Sequence, residues 1–180
     1  MSRLFVRLSH ITAGAIRFFT YNDLEGGIGV NIQQDDLTDG RVQQLIIAHI
    51  EEMKDHSPPE SIHALPLDDL KKRDVTVWSM WDGEELLGCG AIKEQSSHHG
   101  EIKSMRTATL HMRKGVAKHM LTHLLQEAKR RGYQRVSLET GAMAFFEPAR
   151  KLYESFGFQY CSPFGSYKED PNSLFMTKEL

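Results

Sequence analysis

Hydrophobic positions recur with helical spacing in one long segment of the chain. Between Lys114 and Arg131, apolar side chains return every three or four residues, which predicts an amphipathic helix. Gly132 follows a basic last turn and marks the end of this helix. The preceding segment, Glu101–Thr107, suits an extended strand, and Arg135–Thr140 suits the next one. The pattern therefore predicts a strand, a glycine-containing turn, a long helix and a second strand.

The rest of the chain also alternates between strand and helix patterns. The other predicted strands are Gly29–Gln33, Val75–Trp81, Glu85–Ile92, Phe158–Cys161 and Ser173–Lys178. The other predicted helices are one that begins at Asp39 as N-cap and runs through Leu45–Met53, one over Leu65–Lys72 and one over Pro148–Phe156. Asp82 and Gly83 predict a hairpin turn, and the segment Gln95–Gly100 is predicted to be a polar loop. Such alternation indicates an α/β fold.

Composition narrows the class of protein. A chain of 180 residues with 40% hydrophobic side chains can form one globular domain, which we place at residues 29–180. The net charge of -2 offers no basic field for nucleic acid, so any phosphate must be bound locally. Two cysteines fit a reducing compartment, and we expect a cytoplasmic protein. No apolar run is long enough to span a membrane, so we expect no membrane partner.

The first 28 residues are treated separately from this domain. Residues 1–22 contain three arginines and no acidic side chain, as organellar transit peptides do. An upstream extension that arises from the choice of start site fits the same pattern. We therefore expect residues 1–28 to be an N-terminal extension, and the sequence leaves its role open.

The turn before the long helix has the chemistry of an anion site. Gly115 lets the backbone approach a ligand closely, and Arg113 and Lys114 supply positive charge. The first turn of a helix has free backbone N–H groups and the positive end of the helix dipole, which together can bind a phosphate. On their charge alone, the basic side chains of Arg113 and Lys114 also fit a solvent-exposed helix start that binds no ligand.

These residues, in this order of elements, resemble the GNAT superfamily of N-acetyltransferases. The family signature is Gln or Arg, two residues, Gly, one residue, then Gly or Ala. Gly115 and Ala117 fill its last two places, whereas Met112 stands where Gln or Arg is expected. The later segment Tyr153–Phe158 matches the family's Tyr-x-x-x-Gly-Phe pattern. The resemblance implies a mixed, mostly antiparallel sheet flanked by helices, with a V-shaped splay between strands 4 and 5.

The resemblance also implies acetyl-coenzyme A (acetyl-CoA) as the co-substrate, with no metal. Backbone groups of Met105, Arg106 and Thr107 would bind the pantetheine arm. The pyrophosphate would be held by Arg113, Lys114, Gly115, Val116, Ala117 and Lys118. His119 and His123 have the spacing of a metal pair, but they lie away from the apolar stripe and no third ligand is evident, so we expect a solvated face.

Transfer of an acetyl group to an amine needs a base and a proton donor. By resemblance, Tyr153 protonates the leaving thiolate and Glu101 acts as the base, with an exposed strand-end carboxylate as the alternative for Glu101. Glu139 is the rival base, or it attracts the substrate's positive charge. The expected acceptor is a primary amine of a small molecule or peptide that attacks the thioester directly. A non-catalytic acetyl-CoA-binding module and an unrelated nucleotide-binding protein are the alternatives, and homodimerisation stays open.

Overall fold

A computed structural model describes residues 30–180 and contains one seven-stranded sheet with the order β1-β2-β3-β4-β5-β7-β6. The strands are β1 Val30–Asp35, β2 Val75–Asp82, β3 Glu85–Ser96, β4 His99–Thr107, β5 Arg135–Gly141, β6 Gln159–Cys161 and β7 Ser173–Glu179. The helices are α1 Arg41–Lys54, α2 Leu67–Leu70, α3 Val116–Arg130 and α4 Glu147–Ser155. The predicted extension and the predicted strand start at Gly29 lie outside the described residues.

One pair of strands opens the sheet. All neighbouring strands are antiparallel except β4 and β5, which are parallel. This parallel pairing covers only His99–Ile102 and Arg135–Leu138. Beyond these residues β4 continues to Thr107 and β5 to Gly141 without pairing to each other. The predicted mixed α/β fold, with its splay between strands 4 and 5, is confirmed.

Helices cover both faces of the sheet, so the core has two parts. On one face, α3 buries Leu121 and Leu124 completely against the sheet. On the other face, α1 buries Val42 and Ile46 together with Cys89 of β3. The apolar spacing that predicted α3 therefore marks a real buried stripe. With both faces covered, the splayed edges of β4 and β5 are left as the opening in the sheet.

A β-bulge at Ser104 divides β4 into two halves. Ser104 has a positive φ of 51°, and the register opposite β3 shifts by one residue at this point. Before the bulge, Ile102 belongs to the core beneath α3. After the bulge, Met105 returns to that face, and Arg106 turns to the face covered by α1, where it meets Glu52. The extra residue thus decides which side chains of β4 face α1.

Two local predictions are wrong. The segment Gln95–Gly100 is not a polar loop, because β3 runs to Ser96 and β4 begins at His99, and these two residues pair. Tertiary contacts override the local polarity: His99 Nε2 lies 2.8 Å from Ser137 Oγ of β5. Asp39 is also not the N-cap of α1. Gly40, with φ 84°, takes that position, and Asp39 Oδ1 accepts a hydrogen bond from the Arg41 N–H at 2.8 Å.

Candidate active site

The turn before α3 presents backbone N–H groups outward. Arg113 and Gly115 both have left-handed backbones, with φ of 61° and 83°. Among the described residues no side chain caps the helix that starts at Val116, and its first turn contains no acidic residue. The side chains of Arg113, Lys114 and Lys118 are exposed around it. The result is a positively charged helix start with free donors, which fits a phosphate group.

The two histidines of α3 do not lie on a fully solvated face, so that prediction is wrong. His119 Nδ1 lies 2.7 Å from the carbonyl oxygen of Gly115. The His123 ring meets Trp78 edge-on at a centroid distance of 5.6 Å. Both rings are partly covered where α3 packs across β3 and β4. Within residues 30–180, no group of three potential ligands forms a metal site.

A narrow cleft of about 130 Å³ opens where β4 and β5 separate. It is smaller than the roughly 300–1,000 Å³ of typical ligand pockets, so it fits reacting groups rather than a whole coenzyme. Its walls come from α1, β4, β5, α4 and the chain after α1. Its lining residues include Ile46, His49, Ile50, Met53, His63, Lys103, Met105, Glu139, Phe146 and Tyr153.

Tyr153 reaches this cleft from α4. Its side chain is buried, and its ring packs edge-on against Phe158 at 5.7 Å. Burial raises the pKa of the Tyr153 hydroxyl well above its usual value, and the charge of Glu139 acts in the same direction. The hydroxyl therefore keeps its proton across the physiological pH range and can act as a donor.

Glu139 reaches the same cleft from β5. Its Oε1 accepts a hydrogen bond of 2.8 Å from the Ser173 hydroxyl. Burial raises the pKa of the Glu139 carboxyl, and the Ser173 bond and the charge of Lys103 oppose that shift. A carboxylate of this kind can attract an ammonium group and accept a proton from it.

Glu101 occupies a different position from Glu139. It is 1% exposed, so the alternative of an exposed strand-end carboxylate is wrong. Its oxygens accept hydrogen bonds from Gln95 Nε2 at 2.5 Å and from the Tyr167 hydroxyl at 2.6 Å. Lys103 Nζ lies 3.3 Å away, which makes a buried ion pair. Glu101 is not one of the described residues that line the cleft.

Lys103 links Glu101 to two segments that are distant in sequence. Its Nζ donates to the carbonyl oxygen of His63 at 2.9 Å and to the Tyr167 hydroxyl at 2.7 Å. These two bonds and the ion pair with Glu101 engage all three ammonium protons. Lys103 and His63 were not predicted as site residues from the sequence. Strand alternation was the available signal, since Lys103 shares a strand face with Glu101.

The part of β4 that was predicted to bind the pantetheine arm has an edge without a strand partner, and one of its side chains is engaged with α1. Past Ile102, the edge of β4 that faces β5 has no strand partner, so backbone groups around Met105 and Thr107 border the splay. The side chain of Arg106 turns away from the splay and forms a 2.6 Å ion pair with Glu52 of α1. The backbone of Arg106 pairs with Cys89 of β3, and its carbonyl oxygen lies beside Gly88.

Comparison with known proteins identifies the family. The sequence model of the Acetyltransferase (GNAT) family matches residues 42–158. The chain belongs to the GNAT family. An uncharacterized N-acetyltransferase of Bacillus subtilis, YsnE, is 62% identical over 84% of this chain and 100% of its own length. The Escherichia coli relative YedL, also an uncharacterized N-acetyltransferase, is 48% identical over 83% of this chain and 94% of its own length. This GNAT protein is therefore an acetyl-CoA-dependent N-acetyltransferase.

More distant relatives and solved structures agree with this assignment. An IAA acetyltransferase of Azospirillum brasilense is 33% identical over 77% of the GNAT chain and 93% of its own length. A Klebsiella pneumoniae protein described as an acyl-CoA N-acyltransferase has a TM-score of 0.68 at 27% identity, over 84% of this chain and 97% of its own. A GNAT acetyltransferase of Elizabethkingia anophelis, solved with acetyl-CoA bound, shares the fold at 17% identity with a TM-score of 0.61, over 84% and 98% of the two chains.

No helix within residues 30–180 has the length and apolar character to cross a membrane.

Proposed function

We propose that this enzyme transfers the acetyl group of acetyl-CoA to a primary amine of a small molecule or peptide by direct attack. The observation that carries the proposal is that a carboxylate, Glu139, and a protonated phenol, Tyr153, line one narrow cleft at the splay. The amine nitrogen bonds to the thioester carbon, the C–S bond breaks, and the thiolate leaves. One group must remove a proton from the amine and another must supply one to sulfur.

The free N–H groups before α3 suit the pyrophosphate of the co-substrate. We assign this contact to Arg113, Lys114, Gly115, Val116, Ala117 and Lys118. The unpaired edge of β4 at Met105, Arg106 and Thr107 suits the amides of the pantetheine arm. Between these two contacts, the thioester supplies the acetyl group at the mouth of the cleft.

Glu139 is the base that the geometry favours. It lines the cleft, and its raised pKa makes it a better proton acceptor than an ordinary carboxylate. The role of Glu101 as base stays a prediction, and its ion pair with Lys103 supports a structural role instead. Glu139 also provides the negative charge that draws an ammonium group into the cleft before the proton is removed.

Tyr153 is the proton donor in this scheme. Because burial raises the pKa of its hydroxyl above that of a thiol, Tyr153 stays protonated until the thiolate leaves. Transfer of its proton to the thiolate is uphill by the difference between the two pKa values, and it is completed when the phenolate regains a proton from solvent. The position of Tyr153 on α4, directly across the splay from β4, is consistent with a sulfur atom that follows the edge of β4. Amide and free thiol are then the products.

The test is a thiol-release assay with acetyl-CoA and a broad panel of amines. IAA, the compound in the name of the Azospirillum relative, is assayed as a separate candidate acceptor. Glu139→Gln should lower kcat/KM by about 10²- to 10⁴-fold, the usual contribution of a general base. Glu101→Gln is the matched control, and it should destabilise the fold by about 3 kcal/mol because Lys103 loses its buried partner. Full activity in Glu139→Gln, or no acetylated amine in the panel, would contradict the proposal.

A further inference from the structure

His49 brings a polar group to an otherwise apolar wall of the cleft. Helix α1 contributes four lining residues, Ile46, His49, Ile50 and Met53, of which His49 alone is polar. They share one helix face because they are spaced three or four residues apart. An amine that enters the cleft therefore meets apolar contacts and one imidazole on this side.

The neighbour of His49 fixes which ring nitrogen carries the proton. Arg106 Nη1 lies 3.4 Å from His49 Nδ1. A guanidinium has donors only, so Nδ1 must be the acceptor and the hydrogen must sit on Nε2. Arg106 is itself held in place, because its side chain is 13% exposed and its guanidinium forms the ion pair with Glu52. The β4 bulge is what turns Arg106 toward α1.

The imidazole is also held neutral. Burial and the charge of Arg106 lower the pKa of His49 to about 4, and Glu52 opposes this shift only in part. The other titratable groups that line the cleft are His63, Lys103 from β4, Glu139 from β5 and Tyr153 from α4. With the Nδ1 lone pair turned to Arg106, His49 is unsuited to be a base. It offers a constant N–H donor instead.

The charges in the cleft indicate which substrate group the His49 N–H can bind. The Lys103 ammonium is fully engaged, and Glu139 contributes negative charge, so a free carboxylate on the substrate would lack a counter-charge. A neutral carbonyl oxygen beside the amine suits the neutral N–H. The apolar side chains of α1 and Phe146 suit an apolar substituent.

We propose that His49 recognises the acceptor through its Nε2–H, and that the acceptor class is an α-amino amide, such as a peptide N-terminus, with an apolar first side chain. This inference rests on the proposed function. The His49 N–H donates to the carbonyl oxygen next to the reacting amine, and Glu139 receives the ammonium group. The two contacts fix the nitrogen in the orientation needed for attack on the thioester.

Three matched amines test the acceptor class: leucinamide, 3-methylbutylamine, which lacks the carboxamide, and leucine, which carries a carboxylate. Because the basicities of these amines differ, the decisive quantity is how the ratio of kcat/KM for leucinamide to that for 3-methylbutylamine changes between enzyme variants. His49→Asn can keep an acceptor near Arg106 but has no group at the Nε2 position. His49→Gln is the matched variant, since its longer amide places an N–H there.

The expected result is a ratio about tenfold lower in His49→Asn, the worth of one hydrogen bond, and largely kept in His49→Gln. His98→Asn, on the exposed β3–β4 turn, should leave the ratio unchanged. Equal ratios in all four proteins would overturn the inference. So would a loss of about 100-fold or more for every amine in both His49 variants, which is the behaviour of a base.

Two further outcomes separate this inference from the proposed function. If none of the three amines is acetylated but another amine in the panel is, the acceptor class is wrong and the proposed function stands. If neither His49 variant folds, the nitrogen-15 chemical shifts of the wild-type His49 imidazole test the inference, because they show which ring nitrogen carries the proton. A proton on Nε2 and no titration between about pH 5.5 and pH 8 support the inference, and a proton on Nδ1 overturns it.

Discussion

Replacing His49 should remove part of the acid sensitivity of folding. The neutral imidazole is favoured in the folded protein, where the pKa of His49 is about 4, against 6.5 for the free side chain. Between these values the unfolded chain binds a proton that the folded protein does not bind. Stability is therefore complete above pH 6.5 and falls as the pH drops toward 4.

The magnitude follows from the two pKa values. Proton linkage at this one site makes the wild-type protein about 2 kcal/mol less stable at pH 5 than at pH 7. For a domain of this length, that difference corresponds to a fall of roughly 4–8 °C in Tm. His49→Gln cannot take up the proton, so its stability should change by about 2 kcal/mol less over the same pH interval.

Urea unfolding of both proteins at pH 5, 6 and 7 measures this difference, with His98→Gln as a control on an exposed turn. The pKa values of His99 and His123 are also lowered by burial, but these residues contribute equally in every variant. Only the difference between the proteins reports on His49. If wild type and His49→Gln lose the same free energy of unfolding to within about 0.5 kcal/mol, the assignment of a buried neutral imidazole is refuted.

Three further predictions concern the other parts of the site. Tyr153→Phe should lower kcat by about 100-fold or more while calorimetry shows unchanged acetyl-CoA affinity; unchanged turnover across pH would remove Tyr153 as the acid. Gly115→Glu should abolish acetyl-CoA binding in calorimetry, because it places a negative charge and a strained side chain at φ 83° in the phosphate turn, and retained affinity would reject that site. Gly141→Ala should lower Tm, because its Cβ would lie 2.2 Å from the Phe146 ring; an unchanged Tm would mean that the ring moves freely.

Local patterns in the sequence were sufficient for the fold. The helical spacing of apolar residues predicted α3, whose Leu121 and Leu124 are completely buried. The predicted start of this helix at Lys114 is two residues too early, because Gly115 has a left-handed backbone and is the N-cap before Val116. The element order then led, through the family resemblance, to the splay between β4 and β5. The helix and its start depend on residues close together in the chain, which is where pattern analysis is strongest, whereas the splay joins distant strands and came from the resemblance.

The contacts that complete the site depend on residues far apart in the chain. Tyr167 lies in the loop between β6 and β7, yet its hydroxyl bonds Glu101 and Lys103 of β4. Nothing local to Glu101 indicated that its carboxylate is buried or that Glu139 alone of the two reaches the cleft. His49 fitted the apolar face of a predicted helix, and its partner Arg106 becomes visible only once the β4 register is known.

A single inserted residue in β4 accounts for how the two halves of the site are joined. Without the bulge at Ser104, strict alternation would send Met105 to the face of α1 and Arg106 into the core beneath α3, where no acidic partner is present among its buried members. A buried, unpaired guanidinium costs several kcal/mol, so the bulge is required for stability. The same bulge brings Arg106 to His49, while Met105 and Thr107 on either side of it border the open edge of the splay. In the proposed mechanism, the conformation of β4 that would bind the co-substrate therefore also orients the imidazole that would contact the acceptor.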